Sequence, residues 1–285
     1  MTIAPSSGAG NNTFTGSVIL NNGNLVLDQT NGAPLGSASN AFVINGGTVQ
    51  GINAALTIAN PITLGGTFSF VGSQNGTFTG TLGGAGNIRI GVTGLATFQN
   101  AISAVGGITV EGFGAPSALT LSSTATLNGT TVGSTSYSIN NSTLTLDNTT
   151  ANATRLNTGA TMNLNAGSLV LTTNSAINGA ERVAVLNLNG GNQISFNTNT
   201  THSSRLTADV VNQTANGTFQ IITNNLATLG GIPGTSNNNN VFFSNLSAAN
   251  NINGVLPYGF AIQSTGSSNG TGGWCATTAP MALSP

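Results

Sequence analysis

Short runs of alternating apolar and polar residues recur along this chain, and they constrain its fold more than any other feature. Side chains of a β-strand point to opposite faces in turn, so each run offers one apolar face and one polar face. Such strands bury their apolar faces against one another. The clearest alternating pairs are Phe68 and Phe70, Ile88 and Ile90, Ile108 and Val110, Leu119 and Leu121, Leu144 and Leu146, Val183 and Val185, and Ile194 and Phe196.

Clusters of Asn, Gly and Ser separate these runs and predict tight turns. Asn and Gly tolerate the positive φ angles that sharp corners need. Examples are Asn22-Gly23, Asn45-Gly46-Gly47, Asn128-Gly129, Asn178-Gly179 and Asn189-Gly190-Gly191. No long stretch shows the apolar spacing of a helix, so the chain is predicted to be all-β.

Weak internal repeats indicate how the strands are arranged. The stretch Asn12 to Gly16 returns at 75–80 and more faintly at 216–219. Short strands recurring at intervals of about 18–25 residues are typical of a solenoid. We therefore predict a parallel β-helix, with aliphatic residues stacked inside and Asn and Thr stacked in outer or corner ladders. A β-sandwich is the alternative, but sandwiches rarely tolerate so few charged residues. We expect the solenoid to span 1–263 and a Gly/Ser-rich tail or linker, which lacks strand alternation, to span 264–285.

Charged residues are almost absent, and this limits the classes of binding partner that can be expected. Only 3% of the 285 residues are charged, and the net charge is −1. The four basic residues, Arg89, Arg155, Arg182 and Arg205, are spread along the sequence in no cluster. Nucleic acid and anionic membrane surfaces are therefore not expected partners. A net charge near zero removes repulsion between copies and favours self-association, head to tail or side by side.

Neither an export signal nor a membrane-spanning segment is visible in the sequence. The first residues, Met1 to Ser7, have neither a positive stretch nor an apolar stretch typical of a secretory signal. No run of about 20 apolar residues that could span a bilayer occurs. We expect the chain to be a mature form or a fragment of a longer protein.

Residues 11–50 carry a recognisable order of turns and strands. An Asn-Thr-aromatic-Thr-Gly turn is followed by two short strands, a Leu-Gly-Ser corner and a further strand with Gly-Gly-Thr; the stretches are Asn12 to Gly16, Val18 to Leu27, Pro34 to Ser37 and Phe42 to Val49. This pattern resembles the autotransporter-associated β-strand repeat of large bacterial surface and secreted proteins. The likeness extends loosely through 182–222 and 252–257, to about residue 263.

The resemblance implies a right-handed parallel β-helix of the passenger type at the cell surface or outside the cell. The family has no shared catalytic residues to carry over. The translocator barrel of such proteins is not part of this sequence.

The five carboxylates, Asp28, Glu111, Asp147, Glu181 and Asp209, are the candidates for catalysis. Solenoid enzymes that cleave polysaccharides need paired carboxylates in one groove. Stacking could bring two of them together, for example Glu111 and Asp147. No local pair is visible, so we expect isolated surface charges. His202 beside Ser203 and Arg205 invites a hydrolase hypothesis, but an ordered acid and an oxyanion hole are also required.

Metal and thiol chemistry find little support in the sequence. Asn189 to Asn192 begins like a calcium-binding repeat but supplies no aspartate, and a single His and a single Cys exclude a zinc site. Cys275, next to Trp274, cannot form an internal disulfide, and its role is open. We expect no catalytic residue, no metal and no cofactor, and hence no enzyme.

Two hypotheses for function remain, and a third is less favoured. The first is a structural solenoid segment that acts as a stiff stalk or adhesin-type passenger and self-assembles end to end into fibres. The second is a carbohydrate- or ice-binding module, with surface glycans as partners. That module requires outward Thr at a fixed coil spacing, and the Thr-rich run 124–135 is irregular. The third is a polysaccharide-degrading enzyme.

Overall fold

Parallel β-strands stacked coil upon coil form the computed structural model of this protein. It describes residues 1–4, 11–30, 32–100, 102–103, 106–112, 115–122, 127–128, 136–149, 154–173, 178–197, 202–214, 217–224, 228–229, 238–246, 255–265 and 267–276. These residues contain strands and turns but no helix. Neighbouring strands run parallel almost throughout, which confirms the predicted β-helix and excludes the antiparallel β-sandwich.

Three sheets form the walls of the solenoid. Sheet A has twelve strands, in the spatial order β1 (Thr2–Ile3), β3 (Asn24–Asp28), β5 (Gly47–Ile52), β8 (Phe68–Gly72), β11 (Ile88–Val92), β14 (Gly107–Glu111), β17 (Ser136–Asn140), β19 (Thr161–Asn165), β21 (Gly179–Asn189), β23 (Ser204–Gln213), β26 (Asn238–Leu246) and β25 (Thr228–Leu229). Sheet B has six, from β2 (Val18–Leu20) through β4 (Phe42–Ile44), β7 (Ile62–Leu64), β10 (Leu82–Gly84) and β13 (Ile102–Ser103) to β16 (Leu127–Asn128).

Sheet C completes the coil. Its ten strands are β6 (Leu56–Ile58), β9 (Gly76–Phe78), β12 (Leu95–Phe98), β15 (Ala118–Leu121), β18 (Thr143–Asn148), β20 (Ser168–Thr173), β22 (Gly191–Asn197), β24 (Thr218–Asn224), β27 (Val255–Thr265) and β28 (Ser267–Ala276). From β4 to β15 each coil visits sheets B, A and C in turn, for example β7, β8 and β9.

The coil length changes along the solenoid. Ile62 pairs with Leu82 and Leu82 with Ile102, a repeat of 20 residues. Further on, Met162 pairs with Leu186 and Leu186 with Val211, steps of 24 and 25 residues. These lengths fall within the predicted interval, although Ile108 pairs with Tyr137 and Val211 with Leu246 across longer steps.

A continuous apolar column fills the interior from Leu20 to Ile221. In most strands whose side chains are described, every second residue points into it, as in β11, where Ile88, Ile90 and Val92 are buried. An aromatic cluster lies near its middle: the ring of Phe78 stacks on Phe98, 4.7 Å between centroids, and meets Phe68 and Phe70 edge to face. Burial of such faces is the main driving force for stacking the coils.

The second half of the chain departs from three-sided coils. Between β18 and β24 the described strands alternate between sheets A and C only. In the long strand β21 the alternation of buried and exposed residues shifts by one position. Ala184 N and Val185 N both donate to Ala160 O, and after this point Leu186, not Val185, is the buried residue. The predicted inward pair Val183 and Val185 is therefore wrong at Val185, because this bulge shifts the alternation by one residue.

Strands continue into the segment predicted to be a Gly/Ser-rich tail or linker. The boundary proposed at residue 263 falls inside β27, and β28 pairs with β27 antiparallel. Strand β28 ends at Ala276, and its Gly-rich sequence joins the ladder without apolar alternation. The division of the chain into two domains stays a prediction.

Candidate functional site

A row of threonines runs along the outer face of sheet C. The residues that pair across successive strands are Thr57, Thr77, Thr97, Thr120 and Thr145, followed by Val170 and Ser195. Each Thr lies between two inward residues, as Thr120 does between Leu119 and Leu121, so alternation points it outward. We call Thr57, Thr77, Thr97, Thr120 and Thr145 the threonine ladder.

The threonine ladder offers one methyl and one hydroxyl per coil at about 4.8 Å, the spacing between neighbouring strands. Thr57 is exposed and the other four are half-buried. Asp147 is the single charged residue in strands β6, β9, β12, β15, β18, β20 and β22. Sheet C therefore presents a periodic, nearly uncharged face. The Thr-rich run 124–135 lies outside the described residues, apart from the backbone of 127–128.

An asparagine ladder occupies the corresponding face of sheet A. Asn187 donates its amide to Asn163 at 2.7 Å, and Asn212 donates to Asn187 at 2.9 Å. The ladders of Asn and Thr expected from the composition are thus confirmed. Because the amides bond to one another along the stack, this row stabilises the solenoid.

Charged residues gather at one place in the second half. Of four arginines and five carboxylates in the chain, Arg155, Glu181, Arg182, Arg205 and Asp209 lie on consecutive coils. Arg155 and Glu181 are 26 residues apart, and Arg182 and Asp209 are 27 apart. We call these five residues the charged cluster. A coil of about 25 residues brings positions that are far apart in the sequence into register, and because two carboxylates lie among these arginines the cluster is mixed in charge rather than basic.

Glu181 and Arg155 form the inner layer of this cluster. Glu181 is 2% exposed and Arg155 is fully buried. The Glu181 carboxylate accepts hydrogen bonds from Arg155 N at 2.9 Å and Leu156 N at 3.0 Å, and Arg155 Nε donates to Asn148 Oδ1 at 2.9 Å. Burial raises the pKa of Glu181 to about 7, although these hydrogen bonds oppose the rise. Burial likewise lowers the pKa of Arg155, against the nearby negative charge of Glu181.

Arg182, Arg205 and Asp209 form the outer layer. Arg182 binds Asp209 through two hydrogen bonds, Nε to Oδ1 at 3.0 Å and Nη2 to Oδ2 at 2.8 Å. The hydrogen bond and charge of Asp209 raise the pKa of Arg182. A groove of about 530 Å³ lies here, which we call the charged groove; its lining residues are Thr154, Thr158, Ala180, Glu181, Arg182, Arg205, Thr207 and Asp209.

The carboxylates proposed as a catalytic pair are not brought together. Glu111 lies in sheet A and pairs with Arg89, whereas Asp147 lies in sheet C and accepts hydrogen bonds from Thr149 N and Thr172 Oγ1. Asp28 accepts hydrogen bonds from Thr30 and Asn53. The expectation of isolated surface charges is wrong for Glu181, which is buried, and for the paired Glu111 and Asp209.

The remaining sequence candidates have structural positions. His202 is half-buried just before β23. In the Asn189 to Asn192 turn, the Asn192 amide donates to the carbonyls of Asn189, Gly190 and Thr218, and Gly167 N donates to Asn192 Oδ1. Trp274 and Cys275 lie in β28.

Among the described residues, no three His, Cys, Asp or Glu side chains come close enough to hold a metal ion. The same residues include no helix that could cross a membrane.

Comparison with known proteins adds no relative: no family model, no curated protein and no solved structure matches this chain.

Proposed function

We propose that this chain is a structural solenoid segment of a secreted or surface-attached bacterial protein and serves as a stiff spacer without catalytic activity. The observation that carries the proposal is the unbroken stacking of sheet A, in which twelve strands succeed one another around one apolar column. Twelve strands at about 4.8 Å give a stack of roughly 50 Å.

Stiffness follows from how this stack is bonded. Each coil pairs in register with the coils on both sides, so bending the stack breaks backbone hydrogen bonds along one wall. Corner side chains add bonds in the same direction: Asn60 Nδ2 donates to Ser37 O and Asn40 O on the preceding coil. The resemblance to passenger repeats points to the same role at a cell surface.

Small-angle X-ray scattering combined with single-molecule pulling tests the spacer. We expect a rod-shaped particle whose length agrees with the strand count, and stepwise force peaks as coils peel away. A near-spherical particle, or extension at forces that stretch an unfolded chain, would contradict the proposal.

Self-association end to end is part of this proposal. Strand β2 is the edge strand at the N-terminal end of sheet B, and its Ile19 side chain is 58% exposed. A hollow of about 400 Å³ beside it includes Ile3, Val18, Leu20 and Leu25. Edge strands with apolar neighbours readily accept a further strand.

Sedimentation velocity over a range of concentrations tests the association. The wild-type chain is expected to form larger species as concentration rises, and Ile19→Lys to shift the distribution to monomer. Thr63→Lys, an exposed position of the same sheet, is the matched control. A wild-type chain that stays monomeric at all concentrations would oppose end-to-end assembly.

The threonine ladder favours a second candidate function, recognition of a repeating hydroxyl-rich surface such as ice or a carbohydrate. Outward Thr at a fixed coil spacing is what this function requires, and five successive coils supply it. Thermal hysteresis and glycan-array binding would be measured for wild type and for Thr97→Tyr, with Thr109→Tyr on sheet A as control. Activity lost only with Thr97→Tyr supports this function; inactivity of the wild type in both assays removes it.

A further inference from the structure

We propose that the charged groove binds a carboxylated sugar unit, such as a uronic acid of an acidic polysaccharide. The site is additional to the spacer role, which does not require it. Charge is placed unevenly in this chain: five of its nine charged residues lie in the charged cluster, and four of these five line the groove.

The balance of charge inside the groove favours an anionic ligand. Asp209 neutralises Arg182 through two hydrogen bonds. Both oxygens of Glu181 accept from the backbone N–H of Arg155, and Oε2 also accepts from the backbone N–H of Leu156, so this carboxylate is held within the wall. Arg205 is exposed, and no described residue forms a hydrogen bond or ion pair with its guanidinium. The Arg205 guanidinium thus stays available, and its planar set of N–H donors matches the two oxygens of a carboxylate.

The rest of the lining suits the hydroxyl groups of a sugar. Thr154 and Thr158 are exposed at the wall formed by the segment before β19, and Thr207 lies on β23 between Arg205 and Asp209. Three hydroxyls that donate and accept, together with the Asp209 carboxylate, match a ring that carries both donors and acceptors. A groove of about 530 Å³ is large enough for one or two sugar rings.

Polyanions with dense charge fit less well. Nucleic acids and polyphosphates are held by several Lys or Arg side chains at once. The groove offers a single unpaired arginine, so a ligand with one charge per sugar is the better match.

Isothermal titration of the full chain with trigalacturonate, with the neutral galactose trisaccharide and with acetate tests the site. We expect the acidic trisaccharide to bind at least tenfold more tightly than the neutral one, and acetate to bind much more weakly than the trigalacturonate. Arg205→Ala should weaken trigalacturonate binding at least tenfold, and Arg205→Lys should restore part of it. Arg89→Ala, on the same sheet but paired with Glu111, is the matched control and should bind as wild type.

Any one of the following results would overturn the proposal. Equal binding of the two trisaccharides removes the role of the carboxylate, and equal binding of acetate removes the role of the sugar. Wild-type affinity in Arg205→Ala, an equal loss in Arg89→Ala, or no binding by the wild type rejects this groove as the site. Circular dichroism of each variant verifies that the fold is kept, and rod-shaped scattering stays the separate test of the spacer.

Discussion

Single residues at the corners determine how closely successive coils can stack. At Gly86 an added Cβ would lie 1.9 Å from Gly66 O of the preceding coil, and no real atom pair tolerates that approach. Gly84 has a φ of +110°, and a Cβ added there would lie 2.2 Å from Leu64 O. Glycine at these corners is therefore required by contact between coils as well as by backbone conformation.

Gly86→Ala is expected to lower the free energy of unfolding by about 1–3 kcal/mol, the usual cost of overpacking a tight site. Urea denaturation followed by circular dichroism measures it. Gly16→Ala is the matched control, because its Cβ would meet nothing within 4 Å and φ is not positive there. We expect that control to change stability by less than about 0.5 kcal/mol. Equal losses in the two variants would show that Gly86 is not limited by its contact.

Glu181 makes stability depend on pH. Its pKa rises from 4.5 in the unfolded chain to about 7 in the folded one, so the folded state binds the proton more tightly. The contribution of Glu181 to the unfolding free energy is therefore highest below pH 4.5, falls as pH rises to 7 and levels off above it. The expected loss from this residue is about 3 kcal/mol.

Glu181→Gln tests this dependence, since an amide of the same shape keeps an acceptor for Arg155 N and Leu156 N without titrating. Denaturation midpoints at pH 4.5, 6 and 8 should vary less in the variant than in the wild type. Glu111→Gln, at the outer face of sheet A, is the control. A wild-type curve that is flat between pH 4.5 and 7 would contradict the raised pKa.

At the scale of elements, strands in the two halves of the solenoid are packed differently. Where sheets A, B and C enclose the interior, the column consists of Ile, Leu, Val and Phe. Where the described strands belong to sheets A and C alone, the strands also bury the polar residues Asn148, Thr173, Ser204 and Thr223, whereas the buried polar residues of the three-sided part are Asn40, Asn60, Ser69 and Ser117. The bulge in β21 and the buried Arg155 belong to this second region.

Thr223→Val is expected to stabilise the protein by about 1 kcal/mol. Thr223 Oγ1 is fully buried and has no hydrogen-bond partner among the described residues, so its replacement by a methyl group of similar size removes a desolvation cost. Thermal denaturation would show a higher midpoint. Thr172→Val is the control that should destabilise, because Thr172 Oγ1 donates to Leu146 O at 3.1 Å. A lower midpoint for Thr223→Val would reveal a hydroxyl that does contribute.

For the whole molecule, contacts link each coil mainly to the coils beside it. Stability in such an array is a sum of coil and interface contributions, so damage to one coil stays local. Phe78 lies at the centre of the aromatic cluster in the three-sided region, whereas β22 and β24 lie several coils away.

Phe78→Ala is expected to reduce hydrogen-exchange protection most in β8, β9 and β12 and little in β22 and β24. A cavity of this size costs about 3–5 kcal/mol, and the loss is greatest in the coils that pack against the missing ring. Exchange followed by mass spectrometry resolves the two regions. Phe219→Ala, in β24, should reverse the pattern. A uniform loss of protection across both regions would mean that the solenoid unfolds as one cooperative unit.

The amino-acid sequence by itself determined which residues form strands and which of their faces turn inward, because alternation with a period of two is a local property. It therefore predicted the buried pairs from Phe68 and Phe70 to Ile194 and Phe196, the corners at Asn22-Gly23 and Asn45-Gly46-Gly47, and the parallel solenoid, whereas the predicted Asn128-Gly129 turn runs outside the described residues. Its error at Val185 came from a bulge formed with Ala160, a residue 25 positions away.

Tertiary structure alone decided what meets across coils. The threonine ladder, the burial of Glu181 beside Arg155 and the charged groove all depend on the number of residues in each coil, which is 20 between β7 and β10, 29 between β14 and β17 and 24 between β19 and β21. An error of one residue in that number turns an outward side chain inward. Since coil length is set by loops and bulges with no local periodicity, residues that touch across the stack become known only once the coils are in register.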